Sequence, residues 1–253
     1  MAGLILRLRR AWTRAPLARV PRDRLDWALV VVIAFLAVVN VADNLVAHAA
    51  LVLGPVGAAG LLALARWAGL SWAELGLGRG TWLRGLRWAL AAIGVVAVVF
   101  AVGAALPLTR SAFRDSRYDA GWGHAALTAF LLIPVGTVLF EEVAFRGVLW
   151  GLLRRRHGTA AATAVSSALF GLWHVLPSLG LAQAEQAIGS TVGSGSSGQA
   201  VSVLGTVLFT ALAGVVFCEL RRRSGSLLAP AGLHWATNGL GVLAATAIFA
   251  WAS

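Results

Sequence analysis

Two carboxylates, two histidines, an arginine and an amide stand inside long apolar runs of this sequence, where ionisable side chains are costly. They are Glu141, Glu142, Arg146, His174, His234 and Asn238. Carboxylate and imidazole groups can take protons from water and return them, and the same groups can bind a divalent metal. We therefore predict that these six residues form one catalytic or metal-binding site.

Helical spacing assigns different tasks to the two adjacent carboxylates. Glu142 and Arg146 are four residues apart, in the order that favours an ion pair on a helix. Arg146 can thus neutralise and orient Glu142, which leaves Glu141 free for chemistry. A structural ion pair between helices is the alternative explanation of these charges.

The histidines lie in two later apolar runs, and each has a partner four residues away. Phe170 precedes His174 by four residues, and His234 precedes Asn238 by four. Residues at this spacing share a helix face, so the Phe170 ring can pack beside His174. We expect three helices to turn these polar groups toward a common interior.

The composition predicts that these helices lie in a membrane. Of the 253 residues, 59% are hydrophobic and 12% are charged, whereas soluble domains have about 25% charged residues. The mean hydropathy is +0.81. This balance excludes a soluble enzyme and favours an all-α, multi-pass transmembrane bundle of about seven to eight spans. The apolar runs are 27–42, 45–65, 88–108, 125–153, 159–177, 200–219 and 226–252, and the last could be two helices.

The net charge of +11 comes entirely from arginine, because the sequence has no lysine. Seventeen of the 21 arginines fall in the N-terminus and in alternate loops, as the positive-inside rule describes. We therefore predict a cytoplasmic N-terminus in a cell membrane, and no nucleic-acid partner. Residues 1–26 form a basic, amphipathic cytoplasmic segment, and residues 27–253 form a single transmembrane domain.

The motifs resemble those of a known family of membrane proteins. In order, Glu141-Glu142-x-x-x-Arg146, Phe170-x-x-x-His174 and His234-x-x-x-Asn238 are similar to the three motifs of the CPBP intramembrane metalloprotease family. This family is also called Abi or type II CAAX prenyl endopeptidase-like, and it includes bacteriocin-processing relatives. The stretch WAELGL at 72–77 also resembles a segment upstream of these motifs. The resemblance makes 27–253 a protease-like domain with a motif core at 125–240.

The resemblance implies an intramembrane endopeptidase that acts on a membrane-associated protein or peptide in the lipid bilayer. Glu141 would activate the hydrolytic water, and His174 would hold that water or a metal. His234 and Asn238 would stabilise the oxyanion or complete a metal site. The Glu–Arg pair beside Glu141 would hold these side chains in place.

The residue types leave two mechanisms open. In one, a divalent metal such as zinc binds Glu141, His174 and His234 and keeps a fourth position for water. In the other there is no metal, and Glu141 is the general base toward water. The sequence lacks the His-Glu-x-x-His pattern that would favour zinc. A non-catalytic peptide-binding or bacteriocin-binding immunity protein on the same fold is the alternative function.

Overall fold

The computed structural model describes residues 21–45, 49–113, 121–179 and 196–252, in which every regular element is helical. Six helices in these ranges are long and apolar enough to cross a membrane. They are α1 (Arg22–Leu45), α2 (Ala49–Trp67), α3 (Trp82–Ala105), α4 (Gly121–Trp173), α5 (Ser196–Ser224) and α6, which begins at Leu228 and ends at Ala252. Short helical turns occupy Arg79–Thr81, Pro107–Arg110, Ser111–Phe113 and Val175–Ser178. The prediction of an all-α, multi-pass membrane bundle is confirmed.

The long helix α4 explains why the structure has six such helices where the sequence predicts seven to eight spans. It has 53 residues, which at about 1.5 Å per residue is roughly 80 Å, far more than the ~30 Å hydrocarbon core. Gly158 interrupts it with φ 85° and ψ 175°, a conformation that glycine adopts without strain. The segment 121–157 contains the predicted fourth span, and the segment 159–173 contains most of the predicted fifth span, 159–177. The number of membrane crossings stays a prediction.

The predicted basic segment at 1–26 lies mostly outside the described residues. Its last residues belong to α1, which begins at Arg22. There Asp26 forms an ion pair with Arg156 of α4 at 2.9 Å, so the start of α1 packs beside the break in α4.

The helices that carry the motifs contain stretches of π-helix, which are rare and concentrate at functional sites. Two lie in α4, at Thr128–Val138 and Glu142–Leu149, and one lies in α6, at Ala236–Leu240. Pro134, in the first of them, lacks the N–H that a regular helical turn would use. The wider turns change the direction of the side chains that follow, close to the predicted site.

The middle of α4 is the centre of the bundle, because every residue from 140 to 153 is buried. Helices α1, α2 and α5 pack around it. Glycines bring backbones close together: a Cβ on Gly171 would lie 2.7 Å from the carbonyl oxygen of Val207 in α5. Such small-residue contacts are typical of membrane helices. Large apolar side chains such as Val38 and Phe209 point outward, as expected for a surface covered by lipid.

Candidate active site

Helix α4 supplies the carboxylates and α6 the second histidine, and the two helices meet in the buried centre of the bundle. Glu142 Oε1 accepts two hydrogen bonds, from Arg146 Nη1 at 3.1 Å and from His234 Nδ1 at 2.8 Å. Glu142 and His234 are 92 residues apart in sequence. This triad therefore joins the first and third motifs.

Aromatic rings enclose the charged part of this triad. The Arg146 side chain is fully buried, and its guanidinium lies 3.9 Å from the centre of the Phe170 ring and 4.6 Å from that of Phe217. Phe217 also stacks on the His234 ring, with centroids 5.3 Å apart. Cation–π attraction stabilises a desolvated guanidinium. Sequence reasoning missed Phe217, which is one more phenylalanine in an apolar run.

Glu141 lies beside the triad and has a different hydrogen-bond partner. Its Oε1 accepts a hydrogen bond from the indole Nε1 of Trp173 at 2.9 Å. Its Oε2 is buried, has no hydrogen-bond partner among the described residues, and lies 3.7 Å from His234 Nε2. The sequence analysis did not assign Trp173 to the site, since tryptophans in membrane proteins commonly anchor helices at the interface.

The hydrogen bond of His234 to Glu142 determines which of its ring nitrogens is free. A carboxylate only accepts, so Nδ1 of His234 carries the proton. In the neutral ring Nε2 then presents a lone pair toward Glu141 Oε2. These two acceptors, 3.7 Å apart, suit a donor that can serve both, and a water molecule has two O–H groups for this purpose.

His174 and Asn238 complete the site from the cavity wall. Nδ1 of His174 lies 2.8 Å from the Phe170 carbonyl oxygen, so Nδ1 donates and Nε2 carries the lone pair. The His174 ring packs edge-on against Phe170, with centroids 4.7 Å apart. Neither His174 nor Asn238 hydrogen-bonds to Glu141 among the described residues. The six predicted residues thus form a contacting cluster of four and two residues on the adjoining wall.

Two cavities meet at His174 and Asn238. The polar cavity, about 750 Å³, is lined by Glu141 together with the polar side chains at the end of α1. The apolar cavity, about 600 Å³, is lined by Phe209 and other apolar residues of α5 and by His234 of α6. Both have His174 and Asn238 in their walls. Glu141 therefore lies where a peptide bond can reach it and water can be supplied.

The predicted zinc set fits this geometry only in part. Glu141 Oε2 and His234 Nε2, 3.7 Å apart, are close enough for one ion at about 2 Å from each. A catalytic zinc takes three protein ligands, and His174 does not join the other two. The described residues contain no group of three His, Cys, Asp or Glu side chains that could hold a metal. We therefore derive no catalytic step through a metal.

Part of the chain is similar to a known protein family. Residues 122–240 match the family model described as Type II CAAX prenyl endopeptidase Rce1-like. No curated protein and no solved structure matches the chain. The matched region contains all six predicted site residues and Trp173. Over residues 122–240, the chain is thus similar to the Type II CAAX prenyl endopeptidase Rce1-like family.

Proposed function

We propose that this protein is an intramembrane endopeptidase that hydrolyses a peptide bond of a membrane-associated protein or peptide. The family supports a CAAX-protease-type hydrolase in general. One observation carries the specific proposal: Glu141 has a buried carboxylate oxygen with no hydrogen-bond partner among the described residues, and this oxygen lies 3.7 Å from His234 Nε2. The same carboxylate lines the polar cavity.

Hydrolysis then proceeds with Glu141 as the base. A water molecule between Glu141 Oε2 and His234 Nε2 gives one proton to Glu141 while its oxygen bonds to the carbonyl carbon of the substrate. The tetrahedral intermediate collapses as the C–N bond breaks, and Glu141 returns the proton to the leaving amine. The products are an amine terminus and a carboxylic acid terminus, which gives its proton to water or to the amine, and Glu141 is ionised again.

The ring tautomers determine which histidine nitrogens accept hydrogen bonds from water. His234 Nε2 and His174 Nε2 are lone-pair sites in the neutral rings, so both accept hydrogen bonds from water. The Asn238 amide has N–H groups, and it is the donor on the cavity wall that suits the developing oxyanion. Glu142 and Arg146 act through His234, because they fix its orientation and its tautomer.

Trp173 is a positioning residue for Glu141. Its indole N–H fixes one carboxylate oxygen and leaves the other toward the water. A base that is held in one geometry reacts faster than one that must be oriented at each turnover. The hydrogen bond also stabilises the charged carboxylate in a buried place.

The test compares protein termini, by mass spectrometry, in host membranes that contain wild type, Glu141→Gln or Glu219→Gln at matched levels. Glu219 is the matched control, because it is an exposed carboxylate paired with Arg222 at the end of α5. We expect new termini with wild type and Glu219→Gln and none with Glu141→Gln. Cleavage that survives in Glu141→Gln would contradict the proposal. Identical termini in all three samples, in native membranes, would favour the binding or immunity alternative.

The two mechanisms differ in what metal removal does. With Glu141 alone as base, the purified protein keeps its cleavage rate after exhaustive treatment with a strong chelator. Loss of cleavage on chelation, with recovery on adding zinc, would assign the reaction to the metal mechanism. Stoichiometric metal analysis of the purified protein gives an independent readout.

A further inference from the structure

Of the described arginines outside the site, all but Arg110 gather at one end of the bundle, which we call the arginine end; Arg110, just after α3, lies at the opposite end. Arg156 of α4 pairs with Asp26 of α1 at 2.9 Å, and Arg84 of α3 donates to the Ser224 carbonyl of α5 at 2.6 Å. Arg155 donates to a carbonyl oxygen just after α2 at 2.7 Å. These contacts involve five helices, at the starts of α1 and α3, the ends of α2 and α5, and the break in α4. The arginine end contains Arg22, Arg24, Arg66, Arg79, Arg84, Arg87, Arg154, Arg155, Arg156, Arg221, Arg222 and Arg223.

The polar cavity lies near the opposite end. Its lining includes Asn40 of α1, Phe100 of α3 and Thr206 of α5. At about 1.5 Å per residue, these lie roughly 24, 20 and 22 Å along their helices from the nearest arginine of the arginine end. The hydrocarbon core of a bilayer is about 30 Å thick. The cavity therefore occupies the half of the bundle that is far from the arginine end.

The cavity also reaches the far end of the bundle. Its wall includes Asn44, one residue before the end of α1, and Phe113 and Ser178, which follow the ends of α3 and α4. These residues belong to turns and helix ends, where a bundle meets the membrane surface. Water and a polypeptide segment can thus enter from this end.

A line of polar residues, linked by three separate hydrogen bonds, connects this entrance with the base. Asn44 Nδ2 donates to the Asn40 carbonyl at 2.8 Å, and Asn40 Nδ2 donates to the Trp173 carbonyl at 2.9 Å. Trp173 in turn donates to Glu141. Asp43 lies beside these amides in the cavity wall. Polar side chains inside a membrane are costly and mark pathways for substrates or water, so this line indicates a hydrated route to Glu141.

Within the described ranges, no comparable route leads from Glu141 toward the arginine end. Residues 142–153 of α4, which separate the two, are all buried, and Arg146 and Trp150 have no exposed surface. The apolar cavity extends along α5 but opens at the flank of the bundle, where Phe209 and Leu212 are 72% and 69% exposed. Because that opening is lined mainly by apolar side chains, it suits lipid chains rather than water.

We infer that the active site opens to the extracytoplasmic side of the membrane and cleaves segments of membrane-associated polypeptides presented there. The arginine end is the cytoplasmic end by the positive-inside rule, and the polar cavity opens at the other end. A cytoplasmic C-terminal tail would meet the closed end. The cleavage in this statement rests on the proposed function, whereas the direction of access does not.

The charge of the polar cavity narrows the class of substrate. Within the part of the chain that the structure describes, its carboxylates are Asp43 and Glu141, and no arginine lines it. A free C-terminal carboxylate near the cleaved bond would be repelled there. A neutral or basic segment with the bond away from its C-terminus fits the cavity better.

Thiol labelling tests the direction of access without any assay of cleavage. Asn44→Cys places a thiol at the entrance and Arg223→Cys places one at the exposed arginine end, while Cys218 of the wild type is buried and serves as the blank. We expect a membrane-impermeant maleimide to label Asn44→Cys in intact cells and Arg223→Cys only after permeabilisation. The reverse pattern would overturn the inference, as would labelling of both in intact cells or no labelling of Asn44→Cys in either condition.

The positions of the cleaved bonds provide a second test of the direction of access. Termini that depend on Glu141 and lie in extracytoplasmic segments support the inference. If they lie in cytoplasmic segments, the direction of access is wrong and the proposed function stands. If labelling gives the expected pattern and no Glu141-dependent termini form in native membranes, the proposed function fails and the direction of access stands.

Discussion

Replacing Trp173 with phenylalanine removes one hydrogen bond from the proposed base and keeps an aromatic ring in place. The indole Nε1–H donates to Glu141 Oε1 at 2.9 Å. The indole ring packs against Phe140 and Phe145, with centroids 5.8 and 5.7 Å away, and phenylalanine can fill most of that space. In the variant, neither oxygen of Glu141 accepts a hydrogen bond from a described side chain.

The size of the effect follows from that bond. A hydrogen bond to a charged group contributes about 1.5–3 kcal/mol. If this is realised in the transition state, kcat falls roughly 10- to 150-fold, at about 1.4 kcal/mol per tenfold change in rate. KM should change little, because Glu141 acts on the water rather than on the flanking residues of the substrate.

The assay is the initial rate of cleavage of a peptide that spans the bond found in the termini comparison, with purified protein in lipid nanodiscs. Trp150→Phe is the matched control: Trp150 is buried and donates to the Thr163 hydroxyl at 3.2 Å, so this variant also loses an indole donor. We expect a kcat for Trp150→Phe within about twofold of wild type, since it touches no site carboxylate. Equal kcat values for Trp173→Phe and Trp150→Phe would refute the positioning role.

Three further substitutions and one control, Gly205→Ala, test the surrounding structure by unfolding in detergent. Glu142→Gln leaves the buried Arg146 charge uncompensated, so the free energy of unfolding should fall by about 3–5 kcal/mol; an unchanged value would show that the pair is not buried. Arg146→Lys keeps the charge but loses the planar stacking on its aromatic neighbours, for a loss of about 1–2 kcal/mol. Gly171→Ala forces α4 and α5 apart and should cost about 1–3 kcal/mol and lower kcat, whereas Gly205→Ala, which meets nothing within 4 Å, should be neutral or stabilising.

Contacts within one helix were the part of the site that the sequence could predict. Glu142 with Arg146, and Phe170 with His174, are each four residues apart, and the helix itself brings such pairs together. Both contacts are present, at 3.1 Å between charged atoms and 4.7 Å between ring centres. The apolar runs likewise predict membrane helices from length and composition alone.

Contacts between helices could not be predicted in the same way. Nothing in the spacing indicates that His234 Nδ1 donates to Glu142 or that Trp173 Nε1 donates to Glu141. Both hydrogen bonds depend on how the two segments of α4 pack against each other and against α6. A tryptophan in an apolar run has the same sequence signal whether it anchors a helix or holds a carboxylate. The break at Gly158 was similarly hidden, since a glycine gives no sign of its φ angle in the sequence.

The metal question shows the limit of residue types. Glu141, His174 and His234 are suitable zinc ligands by residue type, and the sequence places them on three predicted spans. The orientation of the two histidine rings depends on hydrogen bonds to other residues. His174 Nδ1 donates to the Phe170 carbonyl oxygen, and His234 Nδ1 donates to Glu142. Spacing alone does not predict these partners, so it does not predict whether three ligand atoms converge.

The division of charge between the two adjacent carboxylates connects the fold with the proposed chemistry. Consecutive residues on a helix point about 100° apart, so Glu142 faces Arg146 and His234 while Glu141 faces Trp173 and the polar cavity. Arg146 pairs with Glu142 at 3.1 Å, whereas Glu141 accepts its hydrogen bond from the neutral indole of Trp173. A structural ion pair explains Glu142 and Arg146, but it does not explain the buried Oε2 of Glu141, which has no hydrogen-bond partner among the described residues. The proposed hydrolysis requires such a carboxylate, in the wall of a cavity that water can enter.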